Sequence, residues 1–236
     1  MSDDLPPDVS ALSIAILGGT GDQGRGLAYR FARAGHHVLI GSRDSSRGVS
    51  AAAELAQLPG ADLGRITGGG NASVSQDADL VIVAVPYDGH AVTVQAVRDA
   101  VAGKIVVDCV NPLGFDKQGP YPLRVPEGSA ASQAAALLPD SRVVAAFHHV
   151  SAVLLADPNV ETVDTDVMVL GDDRGATDLV IALATRIPGM RGVYAGRLRN
   201  AGQVEALTAN LIAINRRYKA HAGIRVTDIP AVLSNG

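Results

Sequence analysis

Gly19-Thr20-Gly21-Asp22-Gln23-Gly24 fits the pattern G-x-G-x-x-G, and the chemistry of that pattern is the grip on a dinucleotide pyrophosphate. Glycine permits a left-handed turn and lets backbone N–H groups come close to phosphate oxygens. A helix starting at such a turn adds unpaired N–H donors and a partial positive charge. A lone match is weak, and it gains meaning when a strand precedes it and a helix follows. Leu12 to Leu17 reads as a buried strand, and Gly24 to Ala34 as a helix with Leu27, Ala28, Phe31 and Ala32 on one face. Both requirements are met, so dinucleotide binding is favoured over a glycine-rich connection without a ligand.

The end of the next strand decides which dinucleotide. An Asp or Glu there bonds the ribose 2′-hydroxyl of NAD. This strand runs Val38-Leu39-Ile40-Gly41-Ser42-Arg43. Ser42 can donate a hydroxyl bond, Arg43 can grip a phosphate with two N–H groups, and Arg47 lies one helical turn on. These three point to the 2′-phosphate of NADP, the alternative being a solvated arginine pair at a helix start. Asp44, turned inward, would instead suit NAD.

Other reactive side chains are few. Cys109 is the single cysteine; no internal disulfide can form, and a buried strand-end residue is the favoured reading. His148 and His149 follow a strand that reads from Arg142 to Phe147, and adjacent strand residues point to opposite faces, which argues against one shared metal. His36, His37, His90 and His221 are dispersed without metal-ligand spacing. Asp172-Asp173 reads as a helix start, and no Gly-x-Ser-x-Gly elbow is present.

Strands and helices must alternate to position these groups. Further strands are expected at Ile66-Thr67, Leu80 to Val85, Ile105 to Asp108, Asp166 to Leu170 and Gly192 to Tyr194. Helices are expected at Ser50 to Leu58, Asp88 to Val101, from Ser129 through Leu138, at Thr177 to Arg186 and from Leu198 to Lys219. Gly68-Gly69-Gly70 reads as a turn, and Asn111 to Gly128 as an irregular, proline-rich loop of the kind that lines a site. Continuous apolar strands separated by helices predict an α/β fold: a Rossmann-type parallel sheet with a second, smaller α/β domain. The expected divisions are a disordered lead-in over 1–10, an NADP-binding domain over 11–150, and a small domain over 151–236 that closes the cofactor crevice.

The composition agrees. The 236 residues are 47% hydrophobic and 19% charged, with a net charge of −4 and three Phe, five Tyr and no Trp. No basic stripe suggests nucleic acid, and no apolar run approaches the roughly 20 residues of a membrane span. With no signal-like start, a cytoplasmic protein whose partners are small molecules is expected.

Taken together, Gly18-Gly19-Thr20-Gly21 and Gly41-Ser42-Arg43 resemble the NADPH-dependent reductases of the 8-hydroxy-5-deazaflavin coenzyme F-420. The resemblance runs from about Leu12 to about Val226. It implies that Thr20, Gly21, Asp22 and Gln23 line the pyrophosphate beside Gly19, and that Ser42, Arg43 and Arg47 meet the 2′-phosphate. Val85-Pro86-Tyr87 matches an apolar-Pro-aromatic turn near the nicotinamide, with Ala91 one helical turn on; relatives often carry Trp at the position of Tyr87. Asn111-Pro112-Leu113 matches a shared Pro-Leu loop, with Asn111 in place of Ser. Phe147-His148 and Ala152 match the segment after a later strand, where Val150-Ser151-Ala152 replaces Ile-Pro-Ala. Leu198, Asn200, Val204-Glu205, Leu207 and Thr208 follow the family's final helix, and Ala222 would lie near the cofactors. The family also implies a homodimer.

The implied reaction is direct hydride transfer between NADPH and coenzyme F-420, which needs two rings held at contact and water excluded. No residue is then indispensable to the chemistry. His148 is the candidate for an auxiliary role at the deazaflavin, against a structural histidine. Two rivals remain at this point: another NADP-dependent reductase, acting on an imine such as pyrroline carboxylate, and a non-catalytic NADP redox sensor.

Overall fold

The computed structural model describes residues 6–61 and 63–229. β1 (Ser13–Leu17) leads into α1 (Asp22–Arg33), β2 (His37–Ser42) into α2 (Ser45–Leu55), and β3 (Ile66–Gly70) into α3 (Asn71–Asp77). β4 (Leu80–Val83) leads through a single tight turn, Tyr87–Gly89, into α4 (His90–Ala96). β5 (Ile105–Asp108) precedes a hairpin of β6 (Leu113–Asp116) and β7 (Gly119–Pro122), then α5 (Ala130–Leu137) and β8 (Arg142–Ala145). The chain continues with α6 (Ala152–Ala156), β9 (Thr165–Gly171), α7 (Arg174–Ala184), β10 (Met190–Gly196) and α8 (Ala201–Tyr218).

Eight strands form one sheet in the order β10-β9-β8-β5-β4-β1-β2-β3. Its pairings are parallel except β8 with β9. Alternate residues of β1 feed two cores: Ile14 and Ile16 pack with Leu27, Phe31 and Val38, while Ala15 and Leu17 pack with Leu39, Val81 and Val83. Both faces are covered, which is why the strands read as unbroken apolar runs. The smaller α/β part beyond residue 150 is stitched to this sheet, with Val144 paired to Gly171 and Ala145 to Leu170. The lead-in over 1–10 falls partly outside the described residues. From Val9 the chain is packed: Val9 is buried and its carbonyl accepts from the Leu12 N–H.

Several local expectations change. Gly68-Gly69-Gly70 is strand, not turn, because β3 lies directly against α2; a Cβ on Gly68 would stand 2.1 Å from the Gly48 carbonyl oxygen. The loop expected over Asn111 to Gly128 contains the β6–β7 hairpin, whose turn is held by Asp116 accepting from the N–H groups of Gln118 and Gly119. The helix expected to run to Val101 stops at Ala96, after the β-branched run Val92-Thr93-Val94 that crowds a helical turn. The strand expected to reach Phe147 ends at Ala145.

Candidate active site

Gly18, Gly19 and Gly21 turn the chain from β1 into α1. The Gly21 N–H donates to the Gly18 carbonyl at 2.9 Å. The helix returns so close that a Cβ on Gly24 would meet the Gly18 oxygen at 2.6 Å. No side chain caps α1 at Gly21, so the first N–H groups of the helix face the turn unclaimed by a cap. This cradle fits a pyrophosphate.

Ser42 ends β2 in a buried position, with Arg43 and Arg47 exposed beyond it. Asp44 does not turn inward. It caps α2, accepting from the Ser46 N–H at 2.9 Å and the Ser46 hydroxyl at 2.7 Å. These bonds hold its carboxyl below the usual carboxylate range. Among the described residues no ion pair engages Arg43 or Arg47, so both guanidinium groups are available to an anion.

A cavity of about 490 Å³ opens beside the glycine turn, at the carboxyl ends of the central strands. Gly21, Asp22 and Gln23 form one rim, Val85 and Pro86 another, and Asn111, His148, Ala152 and Ala222 the interior and far wall. α8 contributes Thr208, Leu211, Ile212 and Asn215. This is the crevice where open α/β sheets place ligands, where strand order reverses about β1.

The residues after β8 are held by a hub of bonds. Phe147 adopts φ 63°, a left-handed conformation that a bulky residue adopts only when its surroundings impose it. Gln23 donates to the Phe147 carbonyl at 3.2 Å, and Asn111 and Thr208 donate to that of His148 at 2.7 Å and 3.1 Å. Asn111 and Thr208 thus fix His148 directly, and Gln23 fixes the residue before it. The His148 ring is buried, with the backbone of Cys109 and Val110 beside it, and neither nitrogen makes a hydrogen bond of full geometry. Burial drives its pKa down to about 4, so the ring is neutral at pH 7. Because β8 ends early, His149 is not flipped to the opposite face as expected. It too lines the cavity, with Nε2 2.7 Å from the Asp166 carbonyl oxygen.

Other expected residues lie elsewhere. Gly19, Thr20, Ser42 and Arg43 sit at the neighbouring β1 and β2 ends and Arg47 in the first turn of α2, rather than on this cavity. Tyr87 stacks on His90, with ring centroids 6.2 Å apart, and Ala91 is half-buried on α4. Pro112 is buried, its carbonyl accepting from the Leu123 N–H. Leu207 lines a separate cavity of about 380 Å³ against Pro120 and Tyr121 of the hairpin; its neighbour Thr208 faces the crevice in its stead. Cys109 lines the crevice, but its thiol bonds the Val83 carbonyl and burial pushes its pKa up, which leaves it unreactive.

Sequence reading missed two features. α6 carries Ala152 into the crevice and is held from below by Arg30 of α1. The buried Arg30 guanidinium donates to the carbonyls of Leu154, Leu155, Asp157 and Val160. The second is a buried pair, His90 with Asp108. In each case the signal was a charged residue within an apolar pattern: Arg30 on the inner face of α1, and Asp108 ending Ile-Val-Val.

Comparisons with known proteins identify the family. The model of the family described as NADP oxidoreductase coenzyme F420-dependent matches residues 13–112. The F420-dependent NADP reductase of Methanothermobacter thermautotrophicus is 39% identical over 94% of this chain and 97% of its own length. That of Methanocaldococcus jannaschii is 37% identical over 92% of this chain and 99% of its own. A solved structure of a candidate F420-dependent NADP-reductase from Arthrobacter sp. FB24 is 28% identical, covers 92% of this chain and 100% of its own, and superposes with a TM-score of 0.76. With whole-length likeness of this kind, the chain belongs to the F420-dependent NADP reductases.

Proposed function

We propose that this chain is an 8-hydroxy-5-deazaflavin:NADPH oxidoreductase that moves a hydride reversibly between NADPH and coenzyme F-420. The carrying observation is the crevice: one apolar cavity, rimmed by the glycine turn of a dinucleotide site, with space beyond it toward α8 and Ala222. The two substrates supply the redox chemistry, one ring giving a hydride and the other taking it. The chain's own work is to bind, align and exclude water.

In this reading Gly19 to Gln23 and the α1 N-terminus hold the pyrophosphate, and Ser42, Arg43 and Arg47 hold the 2′-phosphate. Val85 and Pro86 wall the nicotinamide, with Tyr87 behind them. Asn111, His148, Ala152 and Ala222 face the deazaflavin. His148, neutral and lining the crevice, is positioned to bond a polar atom of that ring, and no side chain is required as acid or nucleophile. A cytoplasmic homodimer fits the reading. Phe115 and Tyr121 of the hairpin and Ile214 and Tyr218 of α8 are exposed apolar groups that a second copy would cover, and the one cysteine is free and buried.

The test is an anaerobic mixture of protein, NADPH and oxidised coenzyme F-420, followed by its visible absorbance. Rapid bleaching with NADPH and much slower bleaching with NADH is expected. NADPH binding without bleaching would overturn the assignment.

A further inference from the structure

Asp108 closes β5, and its Oδ2 stands 2.6 Å from Nε2 of His90 on α4. Both side chains are fully shielded from solvent. The other ring nitrogen, Nδ1, lies 2.9 Å from Oε1 of Gln133 on α5. The Gln133 amide is oriented by its own NH₂ group, which donates to the Glu127 carboxylate at 3.2 Å. An amide oxygen and a carboxylate only accept, and a neutral imidazole has one N–H and one lone pair. The site therefore demands two protons along the line from Gln133 through His90 to Asp108.

The second proton belongs on His90 rather than on Asp108. The other carboxylate oxygen, Oδ1, accepts the Val110 N–H at 3.0 Å, a bond that favours the anion. Burial of the ring opposes the charge, and the groups around it oppose that penalty. Glu205 of α8 lies near, held by the N–H groups of Ala130 and Ala131, and with its carboxyl raised to about 7 it adds negative charge mainly above neutral pH; Glu127 polarises Gln133; Tyr87 stacks on the ring. His148, the titratable group on the crevice side of Asp108, is neutral at pH 7.

What the pair holds is a wall of the crevice. Through Val110 N–H, Asp108 fixes the turn that presents Cys109, Val110 and Asn111 to the cavity. Asn111 in turn grips the His148 carbonyl. We propose that His90 is held as an imidazolium through the neutral pH range and, with Asp108, is a positioning pair that sets the Cys109–Asn111 wall for hydride transfer. The positioning role rests on the hydride-transfer reading; the charge on His90 does not.

Two arms test it separately. In protein labelled with nitrogen-15 histidine, NMR from pH 6 to 8.5 should show one histidine with both ring nitrogens protonated throughout, its signals lost in His90→Gln. A bare Nε2 on His90 at pH 7 would overturn the charge. For the wall, Asp108→Ala should lower kcat at least tenfold while leaving NADPH Kd within about threefold; unchanged kcat would overturn positioning. Asp108→Asn can accept from Val110 and donate to a neutral Nε2, so it should restore kcat to within about threefold and turn His90 neutral. Should Asp108→Ala fail to fold, the Asn variant decides: retained kcat with a neutral His90 supports the wall, and a tenfold fall with NADPH binding intact overturns it.

Discussion

Gly26 of α1 and Leu155 of α6 touch so closely that a Cβ added to the glycine would stand 2.5 Å from the Leu155 Cβ. The contact seats α6, and α6 delivers Ala152 to the crevice. Gly26→Ala gains about 1 kcal/mol of helix propensity but forces two backbones apart, and such overpacking costs about 1–3 kcal/mol. A net loss of about 1 kcal/mol in urea unfolding is expected, with a higher KM for the deazaflavin. Unchanged stability would show that the helices separate freely.

Arg43→Ala should weaken NADPH by about 10- to 100-fold, the worth of a charge-assisted phosphate contact of about 1.5–3 kcal/mol. NADH, lacking the phosphate, should change less than threefold. Equal losses in paired binding titrations would remove Arg43 from the 2′-phosphate.

His148 gives a pH signature with a defined sign. Its pKa falls from 6.5 unfolded to about 4 folded, so between these values the unfolded chain binds the extra proton. Stability from this group is complete above pH 6.5 and lost as pH falls toward 4, by up to about 3 kcal/mol. Glu205, raised from 4.5 to about 7 by burial, works in reverse, its contribution declining as pH rises through that window. The two partly cancel in the wild type. His148→Leu should therefore make stability fall more steeply, or rise less, from pH 5 to 7. Parallel curves from urea unfolding would contradict this.

Asp166 anchors the segment that carries Ala222. Its buried carboxylate accepts from Arg191 at 2.6 Å, Arg225 at 2.7 Å and the Val226 N–H at 2.7 Å. Asp166→Asn leaves Arg191 without its anion, while Arg225 keeps its second carboxylate partner, Asp164. Because they reach solvent, a loss of about 2 kcal/mol is expected rather than the full cost for a buried pair. Amide exchange at Val226 and Ile224 should quicken while NADPH affinity holds. Protection unchanged at both amides would mean that the tail is held by other contacts.

The sheet and the glycine turn were legible because their signals are local: apolar runs of strand length, and glycines between a strand and a helix. The Ser42-Arg43 pair was legible by position, at the end of β2 just before α2. α6 was not, because five residues carry no period and the helix exists through Arg30, more than 120 positions away in the chain. The hairpin was hidden by prolines that an edge strand tolerates. His90 and Asp108, 18 residues apart, meet only because β5 and α4 are packed together. Leu207 and Thr208 show the remaining limit: helix membership was clear, but which neighbour each residue faces is decided by the hairpin.

The antiparallel ladder between β8 and β9 has a mechanical meaning. Enzymes that clasp two ligands often swing one lobe on a flexible joint. Here the strands on either side of residue 150 share one hydrogen-bonded plate, so there is no such joint between them. Two rings bound in the crevice would then be spaced by that shared sheet rather than by a swinging lobe. Admission and release would fall to the wall formed by His221, Ala222 and the facing side of α8, and the slow step of exchange should track local opening of that wall rather than a swing of the fold.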